Sequence, residues 1–216
     1  MRTVIWAALA GGVVIVAAGF TARNVREHVR RDAVVPGLPW DTIADLAPYR
    51  QAAHPLHQDT SGSTFRVIVF SDYQCPACRL LDKQLAILAR KMPEVSVGLI
   101  HYPLEGHWLA IDAAVSAVCA EAQGNLTKFN RILFSGRPLH RNSWLEAAKE
   151  VGIGDLQEYA ACIQSDSAKK VVSDNVALGN ALGVVGTPTM LIDNELYVGN
   201  PPQGIATILA GSGKKQ

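Results

Sequence analysis

Cys75 and Cys78, in the run Cys75-Pro76-Ala77-Cys78, are the residues of this sequence best suited to chemistry. Their spacing lets the two sulfurs close a disulfide or share a metal ion, so the element that carries them decides between the uses. The pair follows Phe65-Arg66-Val67-Ile68-Val69-Phe70, a β-branched and aromatic run bounded by Gly62 and Ser71 that reads as a buried strand. After it, Cys78, Leu81, Leu85 and Leu88 recur at helical spacing while Arg79, Asp82, Lys83 and Arg90 fall elsewhere, which predicts an amphipathic helix ended by Pro93. Pro76 sits in its first turn, where a missing N–H costs nothing. Cys75 is thereby placed at a helix N-terminus, whose unpaired N–H groups and dipole stabilise a thiolate and lower a thiol pKa from its ordinary value of about 8.5. Cys78, one turn further on, points inward. One nucleophilic sulfur and one sheltered resolving sulfur make an arrangement for thiol–disulfide exchange.

Three other readings use the same pair: a zinc site, two reduced thiols packed in a core, and a copper- or haem-handling protein built on a redox fold. A zinc site wants further ligands, and no second closely spaced cysteine pair exists. Cys119 and Cys162 lie alone in helical stretches, and His101 and His107 lack a ligand spacing. No metal ligand set and no cofactor is assigned. Among other polar candidates, Glu105 is either an acid assisting proton transfer near Cys78 or a solvated loop residue. His107 reads as a helix N-terminal residue, and Tyr73 and Trp108 as groove-rim or core residues.

The elements that must position the pair follow from periodicity. A second strand is expected over about Val95 to Tyr102, completing a strand–helix–strand unit that favours a parallel sheet. From His107 to Leu182 no strand signal occurs. Ile111, Val115, Val118 and Ala122 form one helical face, followed by helices over Leu126–Phe134, Ser143–Val151, Leu156–Ile163 and Ala168–Leu182. Strand character returns at Thr189–Ile192 and Leu196–Val198 around an Asp193-Asn194 turn, and a last helix runs from about Pro202 to Ala210. The expected class is α/β, with an all-helical insertion over about 107–183 in a domain spanning 64–212.

Residues 1–22 differ in kind. Val4 to Phe20 carry no charge, a length between a signal-peptide core and a spanning helix. Arg23, Arg26, Arg30 and Arg31 behind it look like a juxtamembrane flank and favour an uncleaved inner-membrane anchor over a cleaved signal peptide. That flank runs against the positive-inside rule for an exported domain, but long domains translocate largely regardless of charge. Residues 23–63, broken by Pro36, Pro39, Pro48 and Pro55, read as a linker or N-terminal arm, with a short helix at Trp40–Leu46. The chain as a whole is of ordinary globular composition, 49% hydrophobic and 18% charged. A formal net charge of +1 gives no field to gather nucleic acid, so no nucleic-acid partner is expected. Redox-type cysteines fit an extracytoplasmic, periplasmic location. In such a compartment Cys119 and Cys162 are expected to pair as a structural disulfide, the other reading being two separate buried thiols.

Phe70-Ser71-Asp72-Tyr73-Gln74-Cys75-Pro76-Ala77-Cys78 and Gly186-Thr187-Pro188-Thr189 together resemble the DsbA-like branch of the thioredoxin superfamily. The resemblance spans about Thr64 to Ala210 and takes in Tyr102-Pro103-Leu104-Glu105-Gly106-His107, the stretch around Cys119-Ala120-Glu121, and Leu182-Gly183-Val184. It implies a thioredoxin-like fold split by a helical insertion. It also implies a cis peptide at Thr187–Pro188, with the Thr187 backbone beside Cys75 and ready to pair with an extended substrate. The implied activity is introduction of disulfides into exported cysteine-containing proteins. The implied redox partner is a membrane quinone-linked oxidoreductase of the DsbB or vitamin K epoxide reductase type. Ala77 departs from the best-known oxidases of this family, which resemble one another in carrying histidine there. A histidine stabilises the reduced thiolate and Ala77 does not, so a milder oxidant is expected, and a reductase or isomerase is the nearest rival.

Overall fold

The computed structural model describes residues 46–57, 65–201 and 204–212. The expectations for residues 1–22, and for a helix at Trp40–Leu46 apart from Leu46 itself, lie outside these. Among the described residues no helix is long and apolar enough to cross a membrane.

The chain forms α1 (Ala47–Ala52), β1 (His54–His57), β2 (Val67–Ser71), α2 (Pro76–Lys91) and β3 (Val97–His101). It continues through α3 (Ala110–Ala122), α4 (Leu126–Leu133), α5 (Ser143–Val151), α6 (Leu156–Gln164) and α7 (Asp166–Leu182), then closes with β4 (Thr189–Ile192), β5 (Glu195–Val198) and α8 (Ile205–Ser212). The five strands make one sheet in the order β1-β3-β2-β4-β5. β2 and β3 run parallel, in register from Val67 opposite Val97 to Ser71 opposite His101, while the other pairs are antiparallel. Every residue of β2, β3 and β4 is buried, the signature of a sheet covered on both faces.

Alternation along these strands divides the core in two. Val67, Val69, Val97, Leu99, Met190 and Ile192 face α2, α8 and the α3–α6 helices through residues such as Leu81, Leu85, Phe129, Tyr159 and Leu209. Ile68, Phe70, Ile100 and Leu191 face the other way, onto Leu46, Tyr102, Leu182 and Val184. On this second face α7 approaches closely because position 179 is glycine: a Cβ there would stand 2.5 Å from the Tyr102 ring. The Tyr102 hydroxyl lies 2.7 Å from Asn180 Oδ1 and 2.9 Å from the Val184 carbonyl, and the His101 amide donates to Asn175 Oδ1 at 2.9 Å.

Two expectations change. The arm reading of 23–63 gives way at its end, because α1 and β1 lie within it and β1 pairs with β3. β1 is short and carries Pro55, which an edge strand tolerates, and its register shifts between Pro55 and His57. The second strand is trimmed to Val97–His101. The helical insertion comprises α3 to α7. Cys119 of α3 and Cys162 of α6 are joined in a disulfide with their Cα atoms 5.8 Å apart.

Candidate active site

Cys75 is the N-cap of α2, extended at φ −76° and ψ 120°, and Pro76 begins the helix. Its amide donates to the Asp72 carbonyl at 3.1 Å, closing the turn out of β2. Both cysteines are free thiols here. Pro76 and Ala77 between them are exposed, Cys75 is 6% exposed and Cys78 1%, so the turn presents Cys75 to its surroundings and Cys78 to the core.

Thr187 and Pro188 come to the same place from the far side of the insertion. The Thr187–Pro188 peptide is cis, and the Cys75 thiol donates to the Thr187 carbonyl at 3.3 Å. The Thr187 hydroxyl is buried near both sulfurs without a hydrogen-bond partner among the described residues. The carbonyl favours a Cys75 thiol and the hydroxyl a thiolate. The balance favours the thiolate. A hydrogen bond from the Cys78 thiol, opposed by burial and helped by Thr187 and the backbone N–H groups of Cys78 and Ala77, lowers the Cys75 pKa to about 5. The same hydrogen bond, together with burial, holds the Cys78 proton far more tightly than in a free thiol. The pair is therefore asymmetric: Cys75 is a nucleophile at neutral pH, and Cys78 keeps its proton until something removes it.

Several residues that sequence reasoning passed over hold this turn. Asp72, 2% exposed, accepts from the Gln74 amide at 2.6 Å, from the Leu104 amide at 2.8 Å and from His107 Nδ1 at 2.8 Å. Gln74 Oε1 accepts from the Leu109 amide at 2.6 Å. The cysteine turn and the 102–109 loop are thus one hydrogen-bonded unit, with His107 part of it rather than a mere helix start. Only the local half of this, an Asx-type turn from Asp72 to Gln74, carries a sequence signal. Glu105 is exposed, and the acid that shares a small cavity with Cys78 is Asp82. Tyr73 is buried, stacked between Phe134 and His101, and not at a rim. Trp108 is 71% exposed and borders an open groove of about 470 Å³ with Ile111, Trp144 and Lys169. Among the described residues no three His, Cys, Asp or Glu side chains gather to hold a metal ion.

A model of the DSBA-like thioredoxin domain matches residues 66–205, well over half of the chain. The chain belongs to the DSBA-like thioredoxin domain family. It is an enzyme of thiol–disulfide exchange, acting on cysteine-containing substrates and redox partners, and its sheet with the α3–α7 insertion is the thioredoxin-like fold of that family. Solved structures carry the same fold. The thiol–disulfide exchange protein α-DsbA2 of Wolbachia pipientis superposes with a TM-score of 0.68 at 20% identity, over 82% of this chain and 96% of that one. ScsC of Proteus mirabilis, in a transitional conformation, gives 0.66 at 18% identity over 98% and 94%. A periplasmic thioredoxin-like protein of Salmonella enterica serovar Typhimurium gives 0.62 at 22% identity over 83% and 97%. No curated protein sequence matches the chain. For this DSBA-like domain, the strand, helix start and Thr187-Pro188 segment expected from the sequence meet at one point.

Proposed function

We propose that this DSBA-like protein works as an extracytoplasmic oxidase, introducing disulfide bonds into exported proteins through Cys75 and Cys78. The observation that carries the reading is the stabilised Cys75 thiolate at the start of α2. A group stabilised only in the reduced state makes the disulfide a better electron acceptor. This partly offsets the missing histidine at Ala77.

In the proposed reaction a substrate thiolate attacks Cys75 Sγ in the oxidised pair. The Cys75–Cys78 bond breaks, a Cys75–substrate disulfide forms, and Cys78 leaves with the electron pair and takes up a proton. A second substrate thiolate attacks the mixed disulfide, leaving as an intramolecular disulfide and releasing Cys75 as its thiolate. The Thr187 backbone lies beside the reacting sulfur and Val185, 79% exposed, adds apolar surface nearby, which suits an extended, partly apolar segment. The reduced pair passes its electrons to a membrane quinone-linked partner of the DsbB or vitamin K epoxide reductase type. A periplasmic site with an N-terminal inner-membrane anchor would place the two together; the likeness to a periplasmic protein and the apolar run Val4–Phe20 support this.

The test is a redox equilibrium of the pair against glutathione, together with transfer from the oxidised protein to a reduced two-cysteine peptide. A potential well above about −270 mV, the value for thioredoxin, and stoichiometric oxidation of the peptide are expected. A potential at or below that of thioredoxin overturns the oxidase reading in favour of a reductase.

A further inference from the structure

The periodicity that buries Leu81, Leu85 and Leu88 of α2 leaves a second stripe on the outer side of the helix. Leu80, Lys83, Gln84, Ile87, Arg90 and Lys91 follow one another at helical spacing, and all of them are exposed. Leu80 is 60% exposed and Ile87 44%. Exposed singly, such residues need no explanation, but these two share one face with three cations.

Across an open groove of about 300 Å³, α4 adds Arg131 to Lys83, Ile87 and Arg90. Lys128, one turn before Arg131, is exposed beside it. Among the described residues none of Lys83, Arg90, Lys91, Lys128 and Arg131 forms an ion pair. The carboxylate at the groove is Asp82, 9% exposed and bonded to Asn130 Nδ2, and Lys83 and Arg131 act on it only through space. The next acid along the chain is Glu94, beyond the end of α2. Five cations thus gather around one apolar stripe in a chain whose formal net charge is only +1. A peptide would find no backbone to pair with here, because both walls of the groove are helices whose N–H and C=O groups are bonded within themselves. A layer of phosphate headgroups needs no such pairing. It offers diffuse negative charge to the cations and an apolar layer just beneath for Leu80 and Ile87.

We infer that the outer face of α2, with the adjoining edge of α4, is a docking surface for an anionic phospholipid bilayer. The inference rests on the membrane-proximal location proposed above. Leu80 and Ile87 stand about 10 Å apart along the helix, so both enter the bilayer only when α2 lies along its surface rather than upright to it. Lys83, Arg90, Lys91, Lys128 and Arg131 then meet the headgroups, all of them charged at neutral pH. Leu80 is about 7–8 Å from Cys75 along the same axis. Docking in this pose holds the reactive end of α2 at headgroup height, within reach of a redox partner in the same membrane.

The test reconstitutes the full chain into vesicles of phosphatidylcholine alone and of phosphatidylcholine with about a quarter phosphatidylglycerol. Lysines are acetylated with a water-soluble ester and their rates read residue by residue by mass spectrometry. Lys83, Lys91 and Lys128 are expected to react roughly 10-fold more slowly on the anionic vesicles, with the difference lost in about 1 M salt. Lys169 and Lys170 of α7, which covers the opposite face of the sheet, should react alike on both. Arg90→Gln combined with Arg131→Gln should remove most of the protection, at about fivefold in binding per charge lost. Ile87→Asp should do the same while every cation stays in place. Equal rates at the three lysines on both vesicles, or protection that survives in both variants, overturns the inference. Protection that is absent on anionic vesicles but produced on neutral ones by added polyglutamate assigns the face to an acidic protein and overturns it equally. A chain that resists washing from both vesicles keeps the membrane reading whatever the lysines show, and one that washes off both overturns the two together.

Discussion

A thiol held as its thiolate at the start of α2 leaves a mark on how the potential of the couple varies with pH. Above about pH 5 the reduced pair keeps one proton, on Cys78, so two electrons travel with one proton and the potential should fall by about 30 mV per pH unit. Below that point Cys75 is protonated too, and the slope should double to about 59 mV. Redox titration between pH 4 and 8 that finds one slope throughout would contradict the Cys75 assignment. Asp82 has the opposite sign. Its carboxylate is disfavoured by folding, so a cost is absent where both folded and unfolded chains are protonated, grows as pH rises from about 4, and is complete above about 6. Asp82→Asn should therefore stabilise the protein at pH 7.5 by on the order of 2–3 kcal/mol and leave it unchanged at pH 3.5, as read by urea denaturation.

At the scale of elements, the site is an agreement between a turn and a loop. Asp72 accepts one hydrogen bond from Gln74 in its own turn and two, from Leu104 and His107, that tie the turn after β2 to the 102–109 loop. Asp72→Ala leaves the Gln74 and Leu104 amides without their acceptor and should cost about 3 kcal/mol in denaturant unfolding. The same variant should slow Cys75 alkylation, because the turn that aims the helix N–H groups is loosened. A variant with the parent's alkylation rate would make Asp72 a purely structural residue. How legible each part was in the sequence follows from the distance between partners. The α2 start, β2 and the Cys75–Cys78 pair are written within a dozen consecutive residues and could be read directly. Beyond its Asx-type turn to Gln74, Asp72 meets partners more than thirty residues away, and Asp82 meets Asn130 across a separation of 48, so these contacts left no local pattern. β1 was illegible for another reason. Four residues containing a proline and two histidines resemble a linker, and only pairing with β3 makes them a strand.

For the whole molecule, the insertion and the sheet depend on different supports. The Cys119–Cys162 disulfide closes 43 residues of sequence between α3 and α6, remote from Cys75 in the chain. A double Cys119→Ala, Cys162→Ala variant should lose roughly 4 kcal/mol of stability by the chain-entropy argument and keep the Cys75 reaction with an aromatic disulfide. Loss of Cys75 reactivity in a variant still folded by circular dichroism would show instead that the insertion positions the site. The sheet needs no such clamp, since β2 lies between β3 and β4 with both faces covered.

That central place of β2 bears on exchange of a different kind, of amide hydrogen for deuterium. Its backbone N–H groups are bonded to strands on either side and sealed by both core clusters, so solvent reaches them only when the domain unfolds as a whole. The edge strands β1 and β5 should exchange by local opening and far sooner. Cys75 lies four residues beyond the end of this slowest-exchanging strand, so redox turnover should leave deuterium uptake in β2 unaltered and register in the turn and the 102–109 loop.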